Sequence, residues 1–352
     1  MRIIHVVWSL GRGGAERFVL DLAQAQQQTH DVRVIAVCGG EMEQLFLDAE
    51  IDVKVLGKQP HTLKERFRII EQCKELYREC QPDIVHTHLG ADVWAGYFAA
   101  KPLGIKWVMT AHSHEPELSI ITRILRFLAY RSAGHIAAVS RSVKDMVTWR
   151  YGVLEKKVTV IPVGLDLQRF ALRERHQAGD IPKLVIVGRL APEKGHRVLL
   201  EALALLHRPW ALTIVGDGPL RLTLQRESER LGIAQRIHWA GSVNDPSYYL
   251  TTSDLFCMPS LHEGQGMALL EAAASRLPAI ATDLPAIREV FDRRSMLLIP
   301  VSDVDALSKA IHQTLTQYTD ALIRADLAAN IVRDRFGIQV VVRLYDTLYA
   351  SL

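Results

Sequence analysis

Cysteine is scarce: 352 residues hold only Cys38, Cys73, Cys80 and Cys257, and no two stand in a C-x-x-C pair. Zinc ribbons and thioredoxin-like sites need such pairs, so neither is expected. Cys38 and Cys257 lie in apolar runs and read as buried small hydrophobes. Reduced thiols of this kind fit a cytoplasmic address. Long apolar runs are missing too. A spanning helix needs about 18 nearly uncharged apolar residues, and no window supplies them. Met1-Arg2 leads straight into Ile3–Trp8, a stretch too short for a signal-peptide core and without a small-residue cleavage site, so no secretory leader is expected. Strong charge is absent. The formal net charge is +3, too small to argue for nucleic acid as a partner. The first 170 residues carry 22 Lys/Arg against 19 Asp/Glu, and residues 171–352 carry 20 against 20. That slight basic bias suits an anionic partner of the first half, or it is chance. Short-period repeats and low-complexity tracts are also missing.

What is present is a rhythm. Ile3–Trp8, Val32–Val37, Ile51–Leu56, Ile84–His88, Trp107–Thr110 and Ile136–Val139 are short β-branched runs. Helix-period segments such as Glu16–Gln27 and Glu65–Glu79 lie between them. This alternation predicts a parallel sheet covered by helices on both faces. The second half repeats it, with strands at Lys183–Val187, Ala211–Val215, Ile237–Ala240, Asp254–Met258 and Ala279–Thr282. Helices are expected at Gly195–Leu206, Leu220–Leu231 and Met267–Ser275, and a last one at Ile338–Ser351 after a break at Phe336-Gly337. The fold class is therefore α/β, with two Rossmann-like domains; if they are facing, the cleft between them is the site. Linker chemistry between Pro162 and Pro182, including the charged run Arg173–His176, marks the boundary. The expected division is residues 1–165 and 166–336. Sheets of this class bind ligands at the loops beyond their strand C-termini.

Four groups of residues carry chemistry. In His262-Glu263-Gly264-Gln265-Gly266-Met267-Ala268-Leu269-Leu270-Glu271, two glutamates stand eight apart. The glycines let a ligand approach the backbone, and the following helix aims free N–H groups at it, a setting that suits phosphate. Glu263 suits sugar hydroxyls. Glu271, expected two turns into the helix, suits a ribose, and its apolar flanks mean its carboxylate needs a partner. The alternative is a capping carboxylate and a surface residue. Second, Gly188-Arg189-Leu190-Ala191-Pro192-Glu193-Lys194-Gly195 follows a strand, so Arg189 and Lys194 can clamp a pyrophosphate and stabilise charge on a leaving group. Third, Gly11-Arg12-Gly13-Gly14-Ala15-Glu16 opens a helix. It fails the dinucleotide fingerprint at Glu16, which disfavours a nicotinamide oxidoreductase. It still lets a phosphate or sugar approach Gly13 and Gly14, or serves as a packing turn. Fourth, His86, His88, His112, His114 and Glu115 cluster at two strand ends. No third metal ligand is set by their spacing, so a polar lining of the cleft is preferred to a metal site.

Taken in order, these segments resemble the family 4 glycosyltransferases, a group of retaining enzymes with the GT-B architecture. Ser9–Arg17 resembles the family's N-terminal glycine loop, and Asp83-Ile-Val-His-Thr-His88 its "DIVHTH" strand. Val139-Ser140 resembles "VS-x-S", and Val160–Asp166 with Arg169-Phe170 resembles "VIPNGVD…RF". Gly188–Gly195 resembles "GRL-x-x-EKG", Gly216–Leu220 "GDGPL", and Glu263–Glu271 the E-x7-E motif. The resemblance spans nearly the whole chain. It implies that Arg189 and Lys194 bind the donor pyrophosphate, that Glu263 meets the transferred sugar, and that Glu271 meets the ribose. It implies that His112 lies by the reacting centre and that Gly14 approaches the donor phosphates. The second domain would hold the nucleotide, the first the acceptor, and the last helix would cross back onto the first domain, adding 337–352 to it. Val163 departs from the usual Asn, Gln265 from a common Phe, and Arg276 from a usual Gly. Gln265 and His262 flank the implied sugar pocket, which leaves the sugar open. Arg276 would alter only the helix end.

The reaction implied is transfer of a hexose-type sugar, with retention, from a UDP- or GDP-linked donor to a glycan or lipid-linked acceptor. It serves cell-surface polysaccharide or glycolipid synthesis, lipopolysaccharide included. Attack is on the front face, and no metal or bound cofactor is implied. Catalysis falls to His112, Glu263, Arg189 and Lys194. Donor contacts fall to Gly13, Gly14, Gly264, Gln265, Gly266, Met267 and Glu271, with base recognition by backbone near Val243. Nucleotide-sugar epimerase or phosphorylase chemistry, or a non-catalytic partner subunit, are the alternatives. Ile120–Arg131 mixes apolar residues with Arg123, Arg126 and Arg131, as a helix lying peripherally on an anionic membrane would. An ordinary surface helix is the other reading.

Overall fold

The computed structural model describes residues 1–112, 120–170 and 178–352. The chain divides into two units, Met1–Gly164 with Ile338–Leu352, and Leu165–Gly337. Each is a parallel sheet wrapped by helices, the Rossmann-like arrangement expected from the alternating pattern.

The first sheet comprises β1 (Arg2–Ser9), β2 (Asp31–Cys38), β3 (Asp52–Gly57), β4 (Ile84–His88), β5 (Lys106–Ala111), β6 (His135–Ala138) and β7 (Val158–Val160). Its order is β3-β2-β1-β4-β5-β6-β7 and every pairing is parallel. The direction of strand addition reverses between β1 and β4. Thr62 caps the helix Leu63–Cys80 by accepting from Glu65 N–H at 3.2 Å, while the Glu65 carboxylate accepts from Thr62 N–H at 2.9 Å. This reciprocal capping starts the helix two residues before the apolar period does. Ser140 caps Arg141–Tyr151 through Val143 N–H, so the "VS-x-S" resemblance corresponds to a helix start.

Several elements were not read from sequence. The segment Asp92–Ala100 is a π-helix. Its small Gly96 lies against the Trp107 indole, where a Cβ would come within 2.2 Å of the ring. The Asp92 carboxylate accepts from Thr87 Oγ1 at 2.7 Å. Such helices have no distinct hydrophobic period of their own to reveal them. The strand β7 has three residues, too few for a pattern.

The second sheet comprises β8 (Lys183–Val187), β9 (Ala211–Val215), β10 (Ile237–Gly241), β11 (Leu255–Met258), β12 (Ala279–Thr282) and β13 (Leu297–Ile299). Its order is β10-β9-β8-β11-β12-β13, all parallel, with the reversal between β8 and β11. Leu184, Ile186, Leu212, Ile214, Leu255, Cys257 and Ile280 join Leu199, Leu203, Leu307 and Ile311 of the covering helices in one buried core.

The long helix Tyr318–Phe336 ends the second unit, and the helix Ile338–Ala350 belongs to the first. It packs on Gly14–Gln26 and buries Val341, Val342, Tyr345 and Tyr349. Asp346 accepts from His30 Nε2 at 3.0 Å.

The departure at Arg276 has a structural reason. Its backbone is left-handed, with φ +59°, just past the helix Met267–Ala274, where glycine is favoured. Here the guanidinium binds Asp326 (Nε–Oδ1 2.7 Å), an ion pair that glycine does not offer.

Candidate active site

In the second unit the chemistry-bearing loops flank the point where strand order reverses. That is where an open parallel sheet leaves a crevice beyond its strand ends. One loop follows β8 and carries Arg189 and Lys194; the other follows β11 and carries Glu263 to Gly266. Gly195 locks them together. It has φ +67°, and a Cβ there would stand 1.9 Å from the Pro259 carbonyl oxygen. No other residue permits that approach. Leu261 N–H donates to the Glu193 carbonyl at 2.8 Å, a second stitch between the loops.

The result is a charged cluster. Lys194 Nζ donates to Glu263 Oε1 at 2.7 Å, and Ser260 Oγ donates to the same oxygen at 2.8 Å. Both members of the ion pair are partly buried, where charge-assisted bonds of this length hold side chains in place. Arg189 is exposed at the end of β8 and makes no ion pair among the described residues. It stays available to an anion. Gly264 and Gln265 are buried. Gly266, with φ +80°, is the N-cap of Met267–Ala274, and no side chain caps that end.

Glu271 lies just over one turn into the helix, which begins at Met267 as expected. That corrects the two turns expected. It is 7% exposed, so it is not a surface carboxylate. Val243 lies on the loop beyond β10, at the sheet edge rather than beside the reversal point. Ser260 was not singled out from sequence; nothing in its local pattern separates it from a loop serine.

In the first unit, His112 follows directly on β5, half-buried, with its ring edge-on to Phe18 at 6.0 Å. Burial lowers its pKa to about 4, so the ring is neutral at pH 7. His86 and His88 do not line an open surface, contrary to expectation. Both are fully buried, beside an equally buried His5. His86 binds the Tyr349 hydroxyl through Nδ1 at 2.6 Å and Thr110 Oγ1 through Nε2 at 2.7 Å. Tyr349 comes from the terminal helix, about 260 residues along the chain, so no local pattern announces the pairing. His114, Glu115 and the run Arg173–His176 lie outside the described residues.

Three buried imidazoles, His5, His86 and His88, bring ligand atoms within 4.8 Å of one another. Both nitrogens of His86 are engaged by hydroxyls, so the set is a hydrogen-bonded network rather than an open ligand cage. The glycine turn opens a helix, as expected. Gly13 is the N-cap of Gly14–Gln26. The Glu16 carboxylate folds back to where a Gly13 Cβ would stand, and burial raises its pKa. That helix N-terminus already faces an anion of its own chain. Cys38 is half-buried rather than buried, its thiol donating to the Trp8 carbonyl at 3.1 Å.

The chain is similar to known proteins. Residues 12–169 match the model described as Glycosyltransferase Family 4, and residues 181–317 that described as Glycosyl transferases group 1. The GDP-mannose-dependent alpha-(1-6)-phosphatidylinositol monomannoside mannosyltransferase of Mycolicibacterium smegmatis is 30% identical over 269 residues, 66% of this chain and 69% of the relative. The chain belongs to the family 4 glycosyltransferases. The UDP-Gal:alpha-D-GlcNAc-diphosphoundecaprenol alpha-1,3-galactosyltransferase of Escherichia coli is 26% identical to this glycosyltransferase, covering 88% of this chain and 87% of that one. Anabaena HepE in complex with UDP and glucose superposes with a TM-score of 0.89 at 20% identity, over 100% of both chains. That likeness establishes the GT-B fold for this glycosyltransferase. Among the described residues no helix is long and apolar enough to cross a membrane.

Proposed function

We propose that this glycosyltransferase moves a hexose-type sugar, with retention, from a UDP- or GDP-linked donor to a glycan or lipid-linked acceptor of cell-surface polysaccharide or glycolipid synthesis. The observation that carries the reading is the convergence, at the reversal point of the second sheet, of Arg189 with the Lys194–Glu263–Ser260 cluster and the uncapped helix start at Gly266. Two cations and a helix N-terminus suit a pyrophosphate. Glu263 suits hydroxyls of the transferred sugar, and the buried Glu271 suits a ribose. Gly264, Gln265 and Met267 complete the donor contacts, Val243 serves the base, and Gly13 and Gly14 serve through their backbone. The donors of two relatives, GDP-mannose and UDP-Gal, support both bases.

In the proposed step the acceptor oxygen bonds to the anomeric carbon on the face the phosphate leaves. The anomeric carbon–oxygen bond breaks with its electron pair on phosphate, and a phosphate oxygen takes the acceptor's proton. Arg189 and Lys194 offset the growing negative charge, and a neutral His112 accepts a hydrogen bond from a hydroxyl of the sugar. Because these cations are built into the chain, turnover in excess chelator is expected to match turnover without it.

A thermal-shift panel of nucleotides and nucleotide sugars tests the donor site. One nucleotide class is expected to raise Tm, as ligands of the folded state do, and Arg189→Ala/Lys194→Ala is expected to abolish the shift. Stabilisation by no nucleotide would favour a non-catalytic relative of the fold.

A peripheral membrane contact is part of the proposal. The helix Ile120–Ser132 exposes Ile120, Ile121 and Ile124 at 74%, 72% and 55%. With Arg123, Phe127, Arg150 and Tyr151, Ile120 and Ile124 line a groove of about 390 Å³. An arginine near an anionic surface contributes about 1 kcal/mol. Arg123→Ala is therefore expected to weaken co-sedimentation with anionic vesicles about fivefold. Unchanged sedimentation would remove this helix from the assignment.

A further inference from the structure

The buried histidines of the first unit form a series. Gln26 Oε1 lies 2.8 Å from His5 Nε2. His5 Nδ1 lies 3.1 Å from His88 Nε2. His88 Nδ1 lies 3.2 Å from His112 Nε2. The series starts on the helix Gly14–Gln26, crosses β1 and β4, and ends beyond β5.

A neutral imidazole carries one N–H and one bare nitrogen. Two nitrogens in contact need one of each. Every ring in the series must therefore point the same way: all three protonated on Nε2, or all three on Nδ1. The carboxamide oxygen at the far end breaks the tie, because it only accepts. With Gln26 Oε1 against His5 Nε2, His5 donates there and accepts at Nδ1. His88 then donates through Nε2 and accepts at Nδ1, and His112 donates through Nε2.

We propose that Gln26, His5 and His88 are positioning residues that hold His112 in its Nε2–H tautomer, leaving Nδ1 as a bare acceptor for a donor-sugar hydroxyl. The tautomer part of this stands on the first unit alone; the sugar contact rests on the transfer reading given above.

Neutrality is a condition of the series, since a protonated ring has two donors and no acceptor. Burial supplies it: His5, His86, His88 and His112 are all shifted toward the neutral form. Among the described residues the titratable groups facing the series are His86, Tyr345 and Tyr349, and burial keeps both tyrosines protonated. Among the described residues no carboxylate, lysine or arginine hydrogen-bonds any of the four rings. His86 stands beside the series, tied to Tyr349 and Thr110, and Thr110 Oγ1 meets the Tyr345 hydroxyl at 3.0 Å. It packs against His88 with ring centroids 4.1 Å apart and limits how that ring can turn.

The test uses the full chain labelled with 15N in its imidazoles. Long-range proton–nitrogen correlation spectra distinguish a protonated from a bare ring nitrogen, and His112→Gln assigns the signal. The wild type at pH 7 is expected to show His112 protonated on Nε2 only. His88→Leu removes the partner and is expected to give His112 as a mixture of tautomers. His88→Gln offers an N–H to His5 and an oxygen to His112, and is expected to restore the single tautomer. In transfer assays His88→Leu is expected to lower kcat about tenfold, roughly the worth of one hydrogen bond. KM for the donor should stay within about twofold, with recovery in His88→Gln. A wild-type His112 protonated on Nδ1, or an unchanged tautomer in His88→Leu, overturns the proposal. Stoichiometric zinc in the purified protein, lost in His88→Leu, also overturns it, because the ion would then sit where the proton is placed. The spectra need neither donor nor acceptor. Absence of transfer with the expected tautomer would sink the transfer reading and spare the series; transfer with the wrong tautomer would do the reverse.

Discussion

Replacing Lys194 with alanine is expected to lower kcat by about 10²–10³-fold, the usual cost of removing one preorganised donor from a developing negative charge. Steady-state kinetics with the donor identified by the thermal-shift panel would measure it. The geometry makes the effect large for two reasons. The ammonium is held by Glu263 Oε1 at 2.7 Å, on a loop pinned by Gly195 against Pro259, so it needs no reorganisation at the moment of reaction. Its loss also leaves the half-buried Glu263 carboxylate with Ser260 as its remaining bonded side chain, and a negative charge beside a departing pyrophosphate opposes the reaction. Lys194→Arg is expected to recover only part of the rate, because a planar fork does not reproduce a point charge. Arg189→Ala should cost a similar factor, and the double variant less than the product of the two, since both act on the same charge. A Lys194→Ala variant with unaltered kcat would detach this cluster from the chemistry.

Acid is expected to destabilise both units over the window from about pH 6.5 down to about pH 4. Burial lowers the pKa of His5 and His112 from 6.5 to about 4, and that of His196 likewise to about 4. Below pH 6.5 the unfolded chain binds protons that the folded chain refuses, so stability rises with pH. The part owed to these three histidines is therefore complete above pH 6.5, falls through the window, and levels off below pH 4. Each such histidine contributes about 3 kcal/mol across that window, against a total stability of about 5–15 kcal/mol for an ordinary domain. His196 provides the clean test. It is 2% exposed, and neither ring nitrogen has a hydrogen-bond partner. His196→Leu is expected to flatten the pH dependence of the urea midpoint of the second unit and to raise that midpoint at pH 5. A variant that unfolds with the wild-type pH slope would show that the imidazole finds protons without unfolding.

Much of this was legible in the chain. The β-branched runs alternating with helical periods marked eleven of the strands, because a parallel strand buried on both faces has to be apolar throughout. The loop segments around Arg189, Lys194 and Glu263 were legible as well, since glycines that admit close backbone contacts leave a visible spacing. Edges were less so. The strands Val158–Val160 and Leu297–Ile299 have three residues each, and the π-helix Asp92–Ala100 carries no period that distinguishes it.

The sequence by itself determined the two parallel α/β units, the family, and the candidate donor-binding residues, because each of these is written in local pattern: apolar period, glycine spacing, charge at a strand end. Tertiary structure alone decided the rest. It joined Lys194 to Glu263 and Ser260 across two loops, buried Glu271, and turned Arg276 toward Asp326. It also took His86 and His88 from an expected surface into a closed network with His5, Gln26 and Tyr349. Those contacts join residues up to about 260 positions apart. They exist because parallel strands put distant segments side by side, and buried polar groups then take whichever partners lie within reach, since leaving them without one is costly.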